Sequence, residues 1–365
     1  MDSTYPHTLS PIPLKSRAAI LIAFKQPLEL KDDWPVTQLS ELAPGECLIE
    51  LEYAGCCQSD LHIRDNDWGA DASIPLIAGH EGVGRIVGIG EHTYGHRINV
   101  GDRVGVKFVA NACLRCEMCR QGWDGCCLTA QSSIHGLRLN GTFAKYVVSF
   151  TDYVTPIPKE VDSAAATPIL CAGLTAYKSI KLSNAKFGQW VAIPGAGGGV
   201  GHLAVQYARA MGLRVIAIDT GEEKRNLCSK LGAEKWVDFK VSTDLVKDVQ
   251  IASEGLGPHA AVITAGHPLP FNQALLYLRP TGTLVAAGMP GGEAMLNVPI
   301  GLIIAKCLNI VGALVGNRQD MFEALDAVAQ GKVECKYSIR DLTEVNEVMQ
   351  EMKAGKTTGK IVLKI

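Results

Sequence analysis

Five glycines in seven residues, Gly195-Ala-Gly197-Gly198-Gly199-Val200-Gly201, separate the apolar run Trp190-Val-Ala-Ile from a segment of helical periodicity, Val200 to Met211. Glycines there allow a tight turn from strand to helix, and the run taken alone also suits a flexible turn. The bare backbone N–H groups of the turn lie at a helix N-terminus, where an anionic group is stabilised. The spacing is G-x-G-x-x-x-G, one residue longer than the strict dinucleotide fingerprint. The following sequence repeats the unit. Val215-Ile-Ala-Ile, Trp236-Val-Asp-Phe, Ala260 to Thr264, Thr283 to Ala287 and Leu308 to Gly312 read as strands. Glu222 to Leu231 and Leu245 to Ser253 read as helices between them, and Gly212 closes the first helix. Six short strands with helical connections predict a doubly wound parallel sheet. Asp219 ends the second strand 18 residues after Gly201. A carboxylate there accepts hydrogen bonds from a free ribose diol and repels a 2′-phosphate, so NAD is expected over NADP.

The residues before this region follow another style. Ala18 to Phe24, Glu46 to Tyr53, Gly82 to Gly88, Arg103 to Phe108 and Thr142 to Val148 are short β-rich segments cut by Gly and Pro. They predict a twisted, partly barrel-like sheet. The tail from Met321 holds an amphipathic helix, a second short helix and a last strand, Lys360 to Lys364, expected to return to the first domain. The most apolar stretch, Val298 to Gly316, contains Lys306 and Asn309 and reads as buried strands joined by a loop rather than a membrane span.

Charge and cysteine usage narrow the function. A net charge of −2 gives no electrostatic case for nucleic acid or an anionic membrane. Met1 to Lys15 is polar and Pro-punctuated without an apolar core, so no secretory signal is expected and the setting is cytoplasmic. Twelve cysteines in such a chain point to thiolates that bind metal or react. Cys113, Cys116, Cys119 and Cys127 put four thiols on a 15-residue loop. Four thiolates close a tetrahedral zinc shell and leave no open position, so this zinc is structural. Cys126 beside Cys127 is an alternative fourth ligand.

The segment Tyr53-Ala-Gly-Cys-Cys57-Gln58-Ser59-Asp60-Leu-His62 resembles the catalytic-zinc motif of zinc-containing medium-chain alcohol dehydrogenases. Gly79-His80-Glu81-Gly82-Val-Gly84, the four-cysteine loop, Pro168-Ile-Leu-Cys171-Ala-Gly173, the glycine run and Val315-Gly316-Asn317-Arg318 follow in that family's order. The resemblance spans residues 17–365 and is strongest to the tetrameric yeast and fungal enzymes, which share the longer glycine loop. It implies an α/β fold: a GroES-like β-rich catalytic domain, residues 1–172 and 315–365, around a Rossmann domain, residues 173–314. Two zinc ions per subunit and NAD are implied. Cys57, His80 and Cys171 would hold the catalytic zinc, with Glu81 as an alternate ligand. Asp60 would fix the tautomer of His80. Ser59 would take the substrate proton and pass it by way of the cofactor ribose to His62 at the surface. Gly195, Gly197, Gly198, Gly199, Val200 and Gly201 would cradle the pyrophosphate, with Arg318 and Gln58 beside it. Asp219 and Lys224 would hold the adenosine ribose.

The implied reaction moves a hydride between a primary or secondary alcohol, or its aldehyde or ketone, and NAD(H), with zinc as Lewis acid. The partner is a small molecule. A homo-oligomer, tetramer or dimer, would associate through Leu308 to Leu314. Two departures mark a variant. Gln58 stands where relatives carry His or Arg, which removes a positive charge from the pyrophosphate. Trp68 matches a pocket tryptophan, but Phe108 replaces a second one and Ser59 a threonine, so a substrate bulkier than ethanol is expected. A zinc polyol or aromatic-alcohol dehydrogenase, or aldehyde reductase, of a biosynthetic pathway shares every motif and differs only in the pocket. A zincless quinone reductase is opposed by the intact ligand set. A non-enzymatic zinc protein is supported by the four-cysteine loop alone.

Overall fold

The computed structural model describes residues 11–365, so most of the polar N-terminal stretch lies outside the described residues. Two large sheets organise the chain. One is a six-stranded parallel sheet in the spatial order Lys235–Asp238, Arg214–Asp219, Trp190–Pro194, Ala260–Ile263, Thr283–Ala286, Asn309–Gly312. Its central strands, such as Trp190–Pro194 and Ala260–Ile263, are buried throughout because helices cover both faces. Strand order runs outward on one side of Trp190–Pro194 and then restarts on the other. A crevice opens at the carboxyl end of that strand, where the chain enters the glycine turn.

The other sheet has seven strands drawn from both ends of the chain. Tyr337–Asp341, Lys360–Lys364, Glu46–Cys56, Glu81–Ile89, Arg103–Val106 and Thr155–Pro156 follow in order, and Tyr146–Phe150 also pairs with Glu46–Cys56. All pairings are antiparallel except Tyr337–Asp341 with Lys360–Lys364. Its register matters for function. Cys56 faces Ile361, and Gly55 faces Glu81. Three neighbouring strands therefore end together, setting Cys57, the His80–Glu81 pair and Lys360 at one edge. Gly55 permits this closeness, since a Cβ there would lie 2.4 Å from Glu81 Oε1. A small three-stranded sheet of Lys15–Leu21, Glu29–Pro35 and Leu76–Ile77 packs beside it.

One expectation fails. Ile300–Lys306 is a helix, not a strand, and it is not buried: Ile300 and Ile304 are exposed, as is Ile310 on the edge strand Asn309–Gly312. Ile300 and Ile304 share a helix face at i, i+4, a spacing that a short apolar run does not separate from a strand. No helix among the described residues is long and apolar enough to cross a membrane.

Candidate active site and metal centres

The four-cysteine loop folds on itself. The ligand atoms of Cys113, Cys116, Cys119 and Cys127 lie within 4.8 Å of one another. Backbone N–H groups point at the sulfurs: Cys113 N–H donates to Cys127 Sγ at 3.5 Å and Cys116 N–H to Cys113 Sγ at 3.3 Å. Such amides favour thiolate, and they hold Cys127 down at about 6 although burial, the largest influence, raises it. Cys126, by contrast, is exposed and outside the set. The donor set fits a closed zinc shell.

A second set joins Cys57, His80 and Cys171, whose ligand atoms also lie within 4.8 Å of one another. Cys57 caps the helix Gln58–Asp65, and Cys171 sits where a 3₁₀ turn, Thr167–Leu170, meets the helix Ala172–Leu182. The two sulfurs are 3.9 Å apart, and His80 Nε2 is 3.1 Å from Cys171 Sγ. The Cys171 hydrogen bond draws Cys57 well below the usual thiol range against burial, while Cys171 is pushed well above it. Asp60 Oδ1 accepts from His80 Nδ1 at 2.6 Å, and its other oxygen accepts the Cys57 N–H at 2.9 Å. With Nδ1 engaged, Nε2 presents its lone pair to the sulfurs. Three ligands with a fourth position free fit a catalytic zinc.

Glu81 and Lys360 form a buried ion pair beside this set, Nζ to Oε1 at 2.7 Å. Burial raises the Glu81 carboxyl to about 7, while the Lys360 charge pulls the other way. Its Oε2 is buried without a hydrogen-bond partner. A carboxylate with one spare oxygen next to three ligands is chemically suited to an alternate ligand. Sequence reasoning missed Lys360. Its Cδ lies 3.0 Å from where a Gly199 Cβ would sit, so it packs against the glycine turn as well as pairing with Glu81 beside the cysteine set. Lys360 shares a cleft with Cys57, Gln58, Gly199 and Val200. Its only linear signal is its place at the start of the final strand.

The glycine run forms the tight turn between strand and helix that its spacing predicts. Gly195 has φ +83°, and a Cβ on Gly201 would lie 2.0 Å from the Gly195 carbonyl oxygen, so neither position tolerates a side chain. Asp219 Oδ2 accepts the Gly197 N–H at 2.9 Å, and Oδ1 meets Lys224 Nζ at 3.1 Å. Turn, acid and lysine are thus one unit, and a pyrophosphate and ribose diol fit its donors and acceptors.

Other residues take separate places. Ser59 Oγ is 4.0 Å from Cys57 Sγ. His62 pairs through Nδ1 with Asp67 Oδ2 at 2.8 Å and lies against the Trp68 ring at 5.0 Å, with 12% of its side chain exposed. The Phe108 ring meets the His80 ring edge-on at 5.2 Å. Lys107, just before it, is a buried amine that donates to the Tyr153 carbonyl and to Thr155 Oγ1, and burial lowers it to about 7. Arg318 is not on the glycine turn. Its guanidinium lies 3.7 Å from Asp124 Oδ2 and donates to the Asp152 carbonyl at 3.3 Å, against the four-cysteine loop.

Comparisons with known proteins agree with this geometry. A family model described as "Alcohol dehydrogenase GroES-like domain" matches residues 43–159, and one described as "Zinc-binding dehydrogenase" matches residues 199–330. The chain is 42% identical over 323 residues to alcohol dehydrogenase 1 of Emericella nidulans, covering 88% of this chain and 91% of that one. It is 40% identical to an alcohol dehydrogenase of Schizosaccharomyces pombe, covering 96% and 98%. Among solved structures, the alcohol dehydrogenase of Aeropyrum pernix superposes with a TM-score of 0.85 at 31% identity, over 96% of this chain and all of that one. Acetophenone reductase of Geotrichum candidum, solved with NAD, gives 0.86 at 25% identity over 98% and 99%.

Proposed function

The chain belongs to the zinc-containing medium-chain alcohol dehydrogenases, and from that premise we propose how its own residues carry the reaction. It is a zinc-dependent alcohol dehydrogenase that uses NAD. The observation that carries the assignment of roles is the convergence of Cys57, His80 and Cys171 on one point beside the glycine turn. Zinc on these ligands supplies a Lewis acid that stabilises negative charge on the alcohol oxygen, and NAD supplies the hydride acceptor.

The protein's part is placement. Asp60 keeps His80 in the tautomer that leaves Nε2 free. Ser59, beside Cys57, takes the alcohol proton, and His62, paired with Asp67, delivers it toward solvent. The amides of Gly195 to Gly201 receive the pyrophosphate, and Asp219 with Lys224 receives the adenosine ribose. Lys360, rather than Arg318, supplies the positive charge that Gln58 lacks, because Lys360 lies against Gly199 while Arg318 lies against the four-cysteine loop. Trp68 and Phe108 wall the substrate space, and Phe108 in place of a larger indole favours an alcohol bulkier than ethanol. Residues 1–172 with 315–365 form the catalytic domain and 173–314 the nucleotide domain of the same proposal. The same proposal includes a cytoplasmic setting and a homo-oligomer, dimer or tetramer, joined along Leu308 to Leu314, where Ile310 and Leu314 are exposed.

The test is a panel of primary, secondary and aromatic alcohols with NAD or NADP, with zinc content measured on the same sample. kcat/KM should rise beyond ethanol, and NAD should exceed NADP by about 100-fold, since a 2′-phosphate would meet the Asp219 carboxylate. A series that falls with every carbon beyond ethanol sinks the pocket reading. NADP equal to NAD sinks the reading of Asp219. A maximum at aromatic or polyol substrates selects the biosynthetic alternative.

A further inference from the structure

His202 is fully buried in the first turn of the helix Gly201–Ala210, yet none of the roles above uses it. Its two ring nitrogens face opposite parts of the molecule. Nε2 accepts the backbone N–H of Lys336 at 3.1 Å, and Nδ1 donates to the Gly198 carbonyl at 2.9 Å. A backbone N–H only donates, so the partners themselves fix a neutral ring with its proton on Nδ1. Burial, reinforced by the charges of Lys360 and Lys336, lowers its pKa to about 4 and keeps it neutral.

The contact continues on both sides. Lys336 accepts the Lys360 N–H through its carbonyl at 2.9 Å, and Lys360 Nζ reaches Glu81 Oε1 at 2.7 Å, next in sequence to His80. One turn further along the helix, Gln206 Nε2 donates to the Glu334 carbonyl at 2.8 Å and its Oε1 accepts the Glu334 N–H at 2.8 Å. The glycine turn is therefore linked, through the two ring hydrogen bonds of His202 and one backbone hydrogen bond between Lys360 and Lys336, to the strand end that carries Lys360. Each link is buried or part-buried, where loss of one partner leaves the other unsatisfied.

We propose that His202 is a positioning residue for cofactor binding, fixing the glycine turn against the Lys336–Lys360 strand pair so that the pyrophosphate cradle and the Lys360 cation act as one unit. This rests on the reading that Lys360 faces the pyrophosphate. The role is positional, since His202 lies behind the turn and touches Gly198 only through its carbonyl.

NADH binding to the zinc-loaded full chain, followed by nicotinamide fluorescence, tests it without turnover. His202→Ala should weaken NADH by about tenfold, the size expected from unsatisfied buried partners. His202→Gln, whose Oε1 accepts the Lys336 N–H, should recover most of the loss. In a Lys360→Met background the His202→Ala loss should shrink to less than about twofold, because residues acting through one another are not additive. An equal loss in both backgrounds overturns the proposal while leaving Lys360's own role intact. If Lys360→Met alone leaves NADH affinity unchanged, the reading of Lys360 fails and this inference with it. Amide hydrogen exchange gives a readout independent of any Lys360 variant. NADH should slow exchange of the Lys336 and Lys360 amides in the wild type but not in His202→Ala. Protection that persists in that variant overturns the proposal.

Discussion

The four thiols of the Cys113–Cys127 loop meet within fifteen residues, whereas Cys57 and Cys171 meet across 114. The loop needs only its own turns. Leu114 takes a left-handed φ of +57°, and the amides of Cys113 and Cys116 aim at neighbouring sulfurs, so the ligand geometry is local. The other site has no local geometry. Cys57, His80 and Cys171 stand at the ends of separate elements, and sheet register decides whether they meet. A closed local site acts on stability and an open assembled one on chemistry, so damage to each should be separable.

The largest effect is expected at the assembled site. Cys171→Ser should cut kcat/KM by about 10³-fold or more, as the Lewis acid contributes several kcal/mol to the transition state. One zinc per subunit and a nearly unchanged thermal midpoint should remain. An equal loss of melting temperature would mean that the two sites are not separate in function. Cys116→Ser should do the reverse. It should lose several kcal/mol of folding free energy by denaturant titration while initial kcat/KM at low temperature stays within about threefold. A catalytic collapse in a folded, singly zinc-loaded Cys116→Ser protein would break the comparison.

Gly55→Ala probes register alone. Its Cβ would overlap the Glu81 carboxylate, and overpacking of about 1–3 kcal/mol should lower kcat roughly tenfold with both zinc ions retained. Unchanged kinetics would show that the strand edge yields more than its burial suggests. The smallest effect belongs to Gln58→Arg, which adds a charge at the edge of the open site. NADH should bind about fivefold tighter and leave more slowly, about 1 kcal/mol, the net contribution of a typical hydrogen bond at a solvated edge. Equal or looser binding by stopped-flow fluorescence would count against a pyrophosphate near residue 58.

The sequence was most legible where a function is held by neighbours in the chain. The glycine turn, Asp219 and the four-cysteine loop each depend on spacing, and each could be read before any tertiary contact. Val298 to Gly316 misled because its apolar residues face outward along an exposed helix and edge strand, and composition carries no record of direction. Arg318 misled differently: family order placed it by the pyrophosphate, but its charge meets Asp124.

Chain order and residue type alone thus determined a parallel Rossmann-type sheet and a four-thiol loop of zinc spacing, and they carry the expectation of an unphosphorylated ribose at Asp219. Local hydrogen bonding and short spacings encode all three. Only the tertiary structure decided that Lys360 lies between Glu81 and the glycine turn, and that His202 joins the turn to the final strands. The Lys360–Glu81 contact arises from antiparallel register between strands more than 300 residues apart, such as Cys56 and Ile361, and the His202 contact from the parallel pairing that sets Lys336 beside Lys360. A one-residue slip would send each side chain to the opposite face, and nothing in the local sequence fixes that choice.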